Sequence, residues 1–218
     1  MTLMKLRQAK DDAELAILFQ LSTRTIARII NVWINFMYLQ LRELNLWPSK
    51  STVQQHMPVN FGIMFPQTRV ILDATECVIE KQSHVAVQSS TLSTYKNKNS
   101  VKTMIGCTPR GAVSFISESY GGSTTDRQII ERSPLCTQPD YFTSGDSIMA
   151  DRGIMVQDLF ASKNVAVNTP HMLKGKSQLE KEQVVRDRRV AAKRIHVERV
   201  IGLAETFKVL DRKISCKK

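Results

Sequence analysis

The sequence predicts an α/β protein in which a mixed sheet is flanked by helices and preceded by a small helical region. Three observations carry this prediction. Apolar residues recur at helical spacing over residues 13–39 and again over 180–207. Between them, short apolar runs are bounded by polar and turn-forming residues, in the order strand, strand, strand, helix, strand, helix, strand, helix. The composition, 42% hydrophobic with only 9 Gly and 7 Pro in 218 residues, is that of a folded chain rather than a disordered one.

The N-terminal helical stretch divides in two. Leu15, Leu18 and Phe19 recur at i, i+3, i+4, and Ile17 pairs with Leu21. Ser22 or Thr23 is placed to cap a second helix. On that helix Ile26, Ile29, Ile30, Trp33 and Ile34 form one broad stripe, leaving Thr23, Arg24, Arg28 and Asn31 for the other side. Two short helices at a tight junction resemble a helix-turn-helix, whose second helix enters the DNA major groove. A plain helical hairpin has the same pattern, with Trp33 and Trp47 as packing aromatics.

Residues 48–68, broken by Pro48, Pro58, Gly62 and Pro66, read as a connector. Then come the apolar run Arg69–Leu72 ending in Asp73, strands over 101–107 and 112–120 joined by Thr108-Pro109-Arg110-Gly111, and a brief helix over 126–131. Ser147–Ala150 is a further strand running straight into Asp151, followed by a helix near 155–162, a strand over 165–168 and the long helix over 180–207. The predicted organisation is therefore a helical region (1–47), a connector (48–68), an α/β domain (69–210) and a basic tail (211–218).

The formal charge is +11, a balance suited to a polyanionic partner. It is concentrated: residues 186–218 hold 11 Lys and Arg against 4 Asp and Glu, a surplus of 7. A solvated helix face with a basic tail gives the same count. Cys77, Cys107, Cys136 and Cys216 are widely spaced without a CxxC pair, which argues against a disulfide scaffold and for reduced thiols. No apolar run reaches membrane-spanning length and residues 1–12 lack the apolar core of a signal peptide, so no membrane association is expected.

Two acids stand out by position. Asp73 and Asp151 each follow an apolar strand and precede a polar loop, where α/β folds place ligand-contacting groups. Carboxylates on neighbouring strands repel unless a cation or a proton intervenes, and a hard divalent ion with oxygen ligands resolves that conflict. Glu198 flanks the apolar stripe Val190, Val197, Ile201, Ala204 and Phe207 of the long helix, within reach of strand ends, with Arg194 four residues before it. Two aspartates and a glutamate suit two metal ions about 4 Å apart, acting on a phosphodiester. Each acid also has an ordinary reading: a strand-end turn acid for Asp73, an Asp-x-Gly turn former for Asp151, a solvated helix acid for Glu198.

The stretches ILDATE (71–76), STYKNKNSVKTMIGCTPRGAVSFISESYGGSTTD (93–126), GDSIMADRG (145–153), NTPHMLKG (168–175) and RIHVERVIGLAETFKVL (194–210) occur in order over about two thirds of the chain. Together they resemble the DDE superfamily endonuclease domain of eukaryotic PIF/Harbinger-type transposases. The resemblance implies a ribonuclease-H-like fold, Asp73, Asp151 and Glu198 as catalytic metal ligands, and magnesium or manganese, as two ions, for cofactor. It puts Asp126 and Glu76 beside the site and makes Lys96 and Arg194 candidate DNA contacts. Where relatives carry an aromatic after Asp-x-Gly, this chain has Ile154, a change expected to alter packing without removing a ligand. A helix-turn-helix commonly precedes this domain, which favours DNA contact by Arg24 and Arg28. The resemblance further implies action in the nucleus on double-stranded DNA, with a homo-oligomer and a separate Myb-like protein as candidate partners. A domesticated or truncated copy that binds DNA without cutting it fits the same residues, as does a non-catalytic structural or partner-binding protein.

Overall fold

The computed structural model describes residues 1–171, 178 and 180–215. The second half of the NTPHMLKG motif, which follows His171, and Cys216 with the end of the basic tail lie outside the described residues.

Three helices open the chain: α1 (Thr2–Gln8), α2 (Asp12–Phe19) and α3 (Thr23–Arg42). Asp11 and Glu14 form a capping box that starts α2, and the Ser22 hydroxyl accepts the Thr25 N–H at 3.1 Å to start α3. The two axes turn by 103°, and Leu15, Ile26 and Ile30 are buried in the corner against Met1, Met4 and Ala16. This is a small helix-turn-helix-like bundle. The predicted stripe on α3 is only half realised, because Trp33 and Ile34 are 51% and 38% exposed: the 20-residue helix outruns the bundle it packs against. Among the described residues, no single helix is long and apolar enough to cross a membrane.

The stretch predicted as an irregular connector contains two short helices, α4 (Lys50–Gln55) and α5 (Val59–Gly62). The Ser49 hydroxyl caps α4 by accepting the Thr52 N–H at 3.1 Å, and Pro58 stands at the N-cap of α5, where no backbone donor is needed. Trp47 anchors the segment by donating its indole N–H to the Tyr141 carbonyl at 2.9 Å, and Phe61 is fully buried beneath the sheet.

The remaining elements are β1 (Thr68–Val78), α6 (Val85–Thr91), β2 (Leu92–Ser93), β3 (Lys98–Cys107), β4 (Val113–Ile116), β5 (Tyr120–Gly121), α7 (Asp126–Arg132), α8 (Pro134–Thr137), β6 (Ser147–Ala150), α9 (Gln157–Ala161), β7 (Ala166–Asn168), α10 (Lys181–Glu205) and α11 (Lys208–Asp211). The seven-stranded sheet runs β2-β3-β1-β6-β7, with β4 and β5 also paired to β3. β1 is antiparallel to β3 and parallel to β6, and β6 is parallel to β7. A mixed sheet of this order between two helical layers is a ribonuclease-H-like fold.

Alternation along the strands assigns each residue to a layer. Val70, Leu72, Ile148 and Ala150 face a core shared with Ile129 and Ile130 of α7, Leu135 of α8 and Phe160 of α9. Ile71, Ile105 and Met149 face the opposite core, closed by Phe61 and by Val190 and Val197 of α10. The buried positions of α10 are Asp187, Val190, Arg194 and Val197, one narrow face of a long polar helix. Phe207, predicted to continue that stripe, lies beyond the end of α10 and is 40% exposed. There it meets the N-terminal bundle: the Arg7 guanidinium lies over its ring at 5.1 Å, and Arg7 also donates to the Thr206 hydroxyl.

Candidate active site

The two-residue period of the strands decides where the predicted acids go. Asp73 follows Leu72 and shares the face of Ile71; Asp151 follows Ala150 and shares the face of Met149. In the parallel β1–β6 pair Ile71 lies opposite Met149 and Leu72 opposite Ala150, so the next residues on the two chains are Asp73 and Asp151. Both therefore emerge side by side beneath α10. Asp73 differs from expectation in one respect: it lies in the middle of β1, not at its end, because β1 continues to Val78 against β3 after β6 has stopped.

α10 brings Glu198 over the same cleft, with Arg194 one turn earlier at its packed face. The Arg194 Nη1 donates to Asp151 Oδ1 at 2.7 Å, while Nη2 lies 3.6 Å from Asp73 Oδ2 and 4.0 Å from Glu198 Oε1. One guanidinium thus joins all three predicted ligands. Burial pushes the Asp73 carboxyl above the ordinary aspartate range; Arg194 and the Ala74 N–H, which donates to Asp73 Oδ1 at 2.9 Å, draw it back, and Asp151 and Glu198 push it up again.

The cleft, of about 560 Å³, also takes in Glu76, Tyr95, Lys96, Lys102 and Asp126. Lys102 lies opposite Glu76 in the β1–β3 ladder, and its ammonium sits 3.4 Å from Glu76 Oε1 and 3.2 Å from Asp126 Oδ1. Glu76 Oε2 also accepts the Ser100 hydroxyl at 2.8 Å. Asp126 is delivered by the Gly121-Gly122 turn, where a side chain is excluded: a Cβ on Gly121 would strike the Ser90 carbonyl, and one on Gly122 the Ser100 hydroxyl. Lys96 stands exposed on the rim, its ammonium donating to the Glu76 carbonyl at 3.0 Å. Arg24 and Arg28 are exposed on α3, outside this cleft. Ile154 fills the core beside Val156, so the aliphatic residue at this point of the Asp-x-Gly loop is a packing residue.

Two cations of the cleft carry little signal in the sequence. Arg194 reads in sequence as an i,i+4 surface partner of Glu198, and its burial follows only from the phase of α10 on the sheet. Lys102 shows no signal until the β1–β3 register sets it opposite Glu76.

The donor set suits a hard divalent cation: three carboxylates face one cleft and already share a cation. Their oxygens ring the guanidinium rather than a common point, and among the described residues no group of three His, Cys, Asp or Glu is placed to hold a metal ion as it stands. The residues fit such an ion in kind, with the guanidinium in their midst.

Comparison with known proteins matches residues 72–218 to the DDE superfamily endonuclease family and residues 1–43 to the helix-turn-helix of DDE superfamily endonuclease. No curated protein and no solved structure matches the chain.

Proposed function

This chain belongs to the DDE superfamily endonucleases, and we propose that it is the catalytic core of a metal-dependent DNA nuclease or transposase that cuts phosphodiesters and joins strands at transposon ends. The observation that carries this reading is the convergence of Asp73, Asp151 and Glu198 on one guanidinium at the open end of the β1–β6 pair. These three residues would hold magnesium or manganese, as two ions, which when bound supply nucleophile activation and charge neutralisation at phosphorus.

The chain's own residues have separable tasks in this reading. Backbone ladders set the separation of Asp73 and Asp151, so two of the ligands are positioned by rigid elements. Lys102 bridges Glu76 and Asp126 and offsets part of their charge. Lys96 offers a cation on the rim, and Arg24 and Arg28 offer two more on the helix that would enter the major groove. The domain limits that follow are a DNA-reading region over 1–47 and a nuclease domain over 69–210, acting on double-stranded DNA in the nucleus.

The test is direct. The purified chain incubated with duplex DNA and Mg²⁺ or Mn²⁺ is expected to cut it, and Asp151→Asn to abolish the cutting. Cleavage that survives Asp151→Asn, or no cleavage on any duplex tried, contradicts the reading. A second reading, a DNA-binding protein without catalysis, draws on the guanidinium that already stands among the three acids. It predicts salt-dependent DNA binding indifferent to EDTA and no cutting with either metal.

A further inference from the structure

Arg194 is buried where its helix position alone would not require a charge. It stands between Val190 and Val197 on the packed face of α10, and its side chain is 10% exposed. Among the described residues it is the one cation paired with any of Asp73, Asp151 and Glu198, and it is paired with all three. Its contacts are loose: two of the three are at 3.6 and 4.0 Å, only the Asp151 contact is a short hydrogen bond, and Nε, like that of Arg69 beside Asp146, is buried without a hydrogen-bond partner. The guanidinium sits where the summed attraction of three carboxylates draws it, not in a fully bonded socket.

We propose that Arg194 is a resident counter-cation, which holds the three carboxylates together in the metal-free protein and is displaced from Asp151 and Asp73 when divalent ions enter. The proposal rests on the reading of these acids as metal ligands. Its physical basis is that a guanidinium and a divalent ion compete for the same carboxylates, and that like charges a few ångströms apart repel strongly where water is partly excluded. A structural arginine that merely orients the ligands makes the opposite prediction, because its loss disorders the ligands and weakens metal binding.

The experiment compares Mn²⁺ binding by the full chain, followed through the electron paramagnetic resonance of free Mn²⁺, with Arg194→Gln and Arg194→Lys. Arg194→Gln is expected to bind Mn²⁺ tighter by roughly tenfold, to melt lower without metal, and to gain more in Tm on adding Mn²⁺. Arg194→Lys, which keeps the charge, is expected to stay near the wild-type affinity. Unchanged or weaker binding by a folded Arg194→Gln overturns the proposal. A second readout uses the unaltered protein and so survives a variant that fails to fold: Mg²⁺ is titrated while the side-chain NMR signals of Arg194 and the Asp151 carboxyl are followed. The Arg194 Nη signals are expected to move together with the carboxyl; a carboxyl that saturates while they stay fixed overturns the proposal and leaves the nuclease reading intact. A wild-type chain that neither binds Mn²⁺ nor cuts DNA overturns both.

Discussion

The short strand β6 has an aspartate–arginine cluster at each end, and the two are built to opposite specifications. Asp146 precedes the strand and is fully buried. Its carboxylate meets Lys50 at 2.7 Å and Arg69 at 3.5 Å, and accepts the Thr143 N–H and hydroxyl at 2.8 and 3.0 Å. One acid there has two cations, and Arg69 is further held by the Pro48 carbonyl at 2.9 Å and by the Trp47 ring. At the other end Asp151 shares a single arginine with Asp73 and Glu198 and is half exposed. The first cluster ties the connector to the sheet. The second is short of positive charge and open to solvent, the condition for taking up a further cation. The same residue pair on one strand is charge-satisfied where cations exceed acids and left short of cation where acids exceed them.

The largest expected effect breaks the first cluster. Arg69→Ala leaves the Asp146 carboxylate buried beside a lysine alone and is expected to cost about 3 kcal/mol of stability, read from denaturant midpoints, with no change in the stabilisation that Mn²⁺ confers. A loss equal to that of an exposed arginine would place both clusters in one class. Next is Asp151→Asn, expected to lower metal-dependent cleavage more than about 100-fold while stability stays within about 1 kcal/mol, because this carboxylate is half exposed. A large loss of stability with cleavage retained reverses the contrast between the two ends of β6.

A smaller effect belongs to the N-terminal bundle. Arg24→Ala and Arg28→Ala are each expected to weaken duplex binding and reduce the dependence of log K on log salt by about 1, leaving the metal requirement of cleavage unchanged. The smallest concerns Asp187, near the start of α10. Its Oδ1 meets His171 Nδ1 at 2.7 Å and its Oδ2 accepts the His171 N–H at 3.0 Å. Burial alone would raise this carboxyl, but the two His171 contacts, aided by Arg152, outweigh it and hold the group below its ordinary range. Depression in the folded state means that the stability this group contributes is present above its unfolded value and lost as pH falls through the folded one. Acid unfolding monitored by circular dichroism should therefore begin at higher pH in His171→Ala; an unchanged acid limb contradicts the coupling.

Much of the architecture was legible because it rests on local periodicity. The strand 147–150 has the bounds its apolar run sets, and the long helix lies within two residues of its expected limits at either end. The alternation that buries Leu72 and Ala150 also sends Asp73 and Asp151 to one face, so these two acids could be found from their own strands. Glu198 could not: the chemistry of α10 depends on which face meets the sheet, and a helix so rich in charge hides its narrow packed stripe. Arg194 and Lys102 were hidden for a related reason, since a buried cation looks like a surface one until its partners arrive from distant segments. The connector differs from the irregular stretch expected because Ser49 and Pro58 each start a short helix in it. The N-terminal helix α1 has no clear periodicity of its own, because its contacts are made from elsewhere, against the bundle and the end of α10.

Whether the open end of β6 receives a divalent cation can be read from anomalous scattering by crystals of the protein soaked in Mn²⁺. A peak is expected within coordination distance of both Asp73 and Asp151, with the Arg194 guanidinium withdrawn from them. Full Mn²⁺ occupancy elsewhere, with Arg194 still bonded to Asp151, would contradict it.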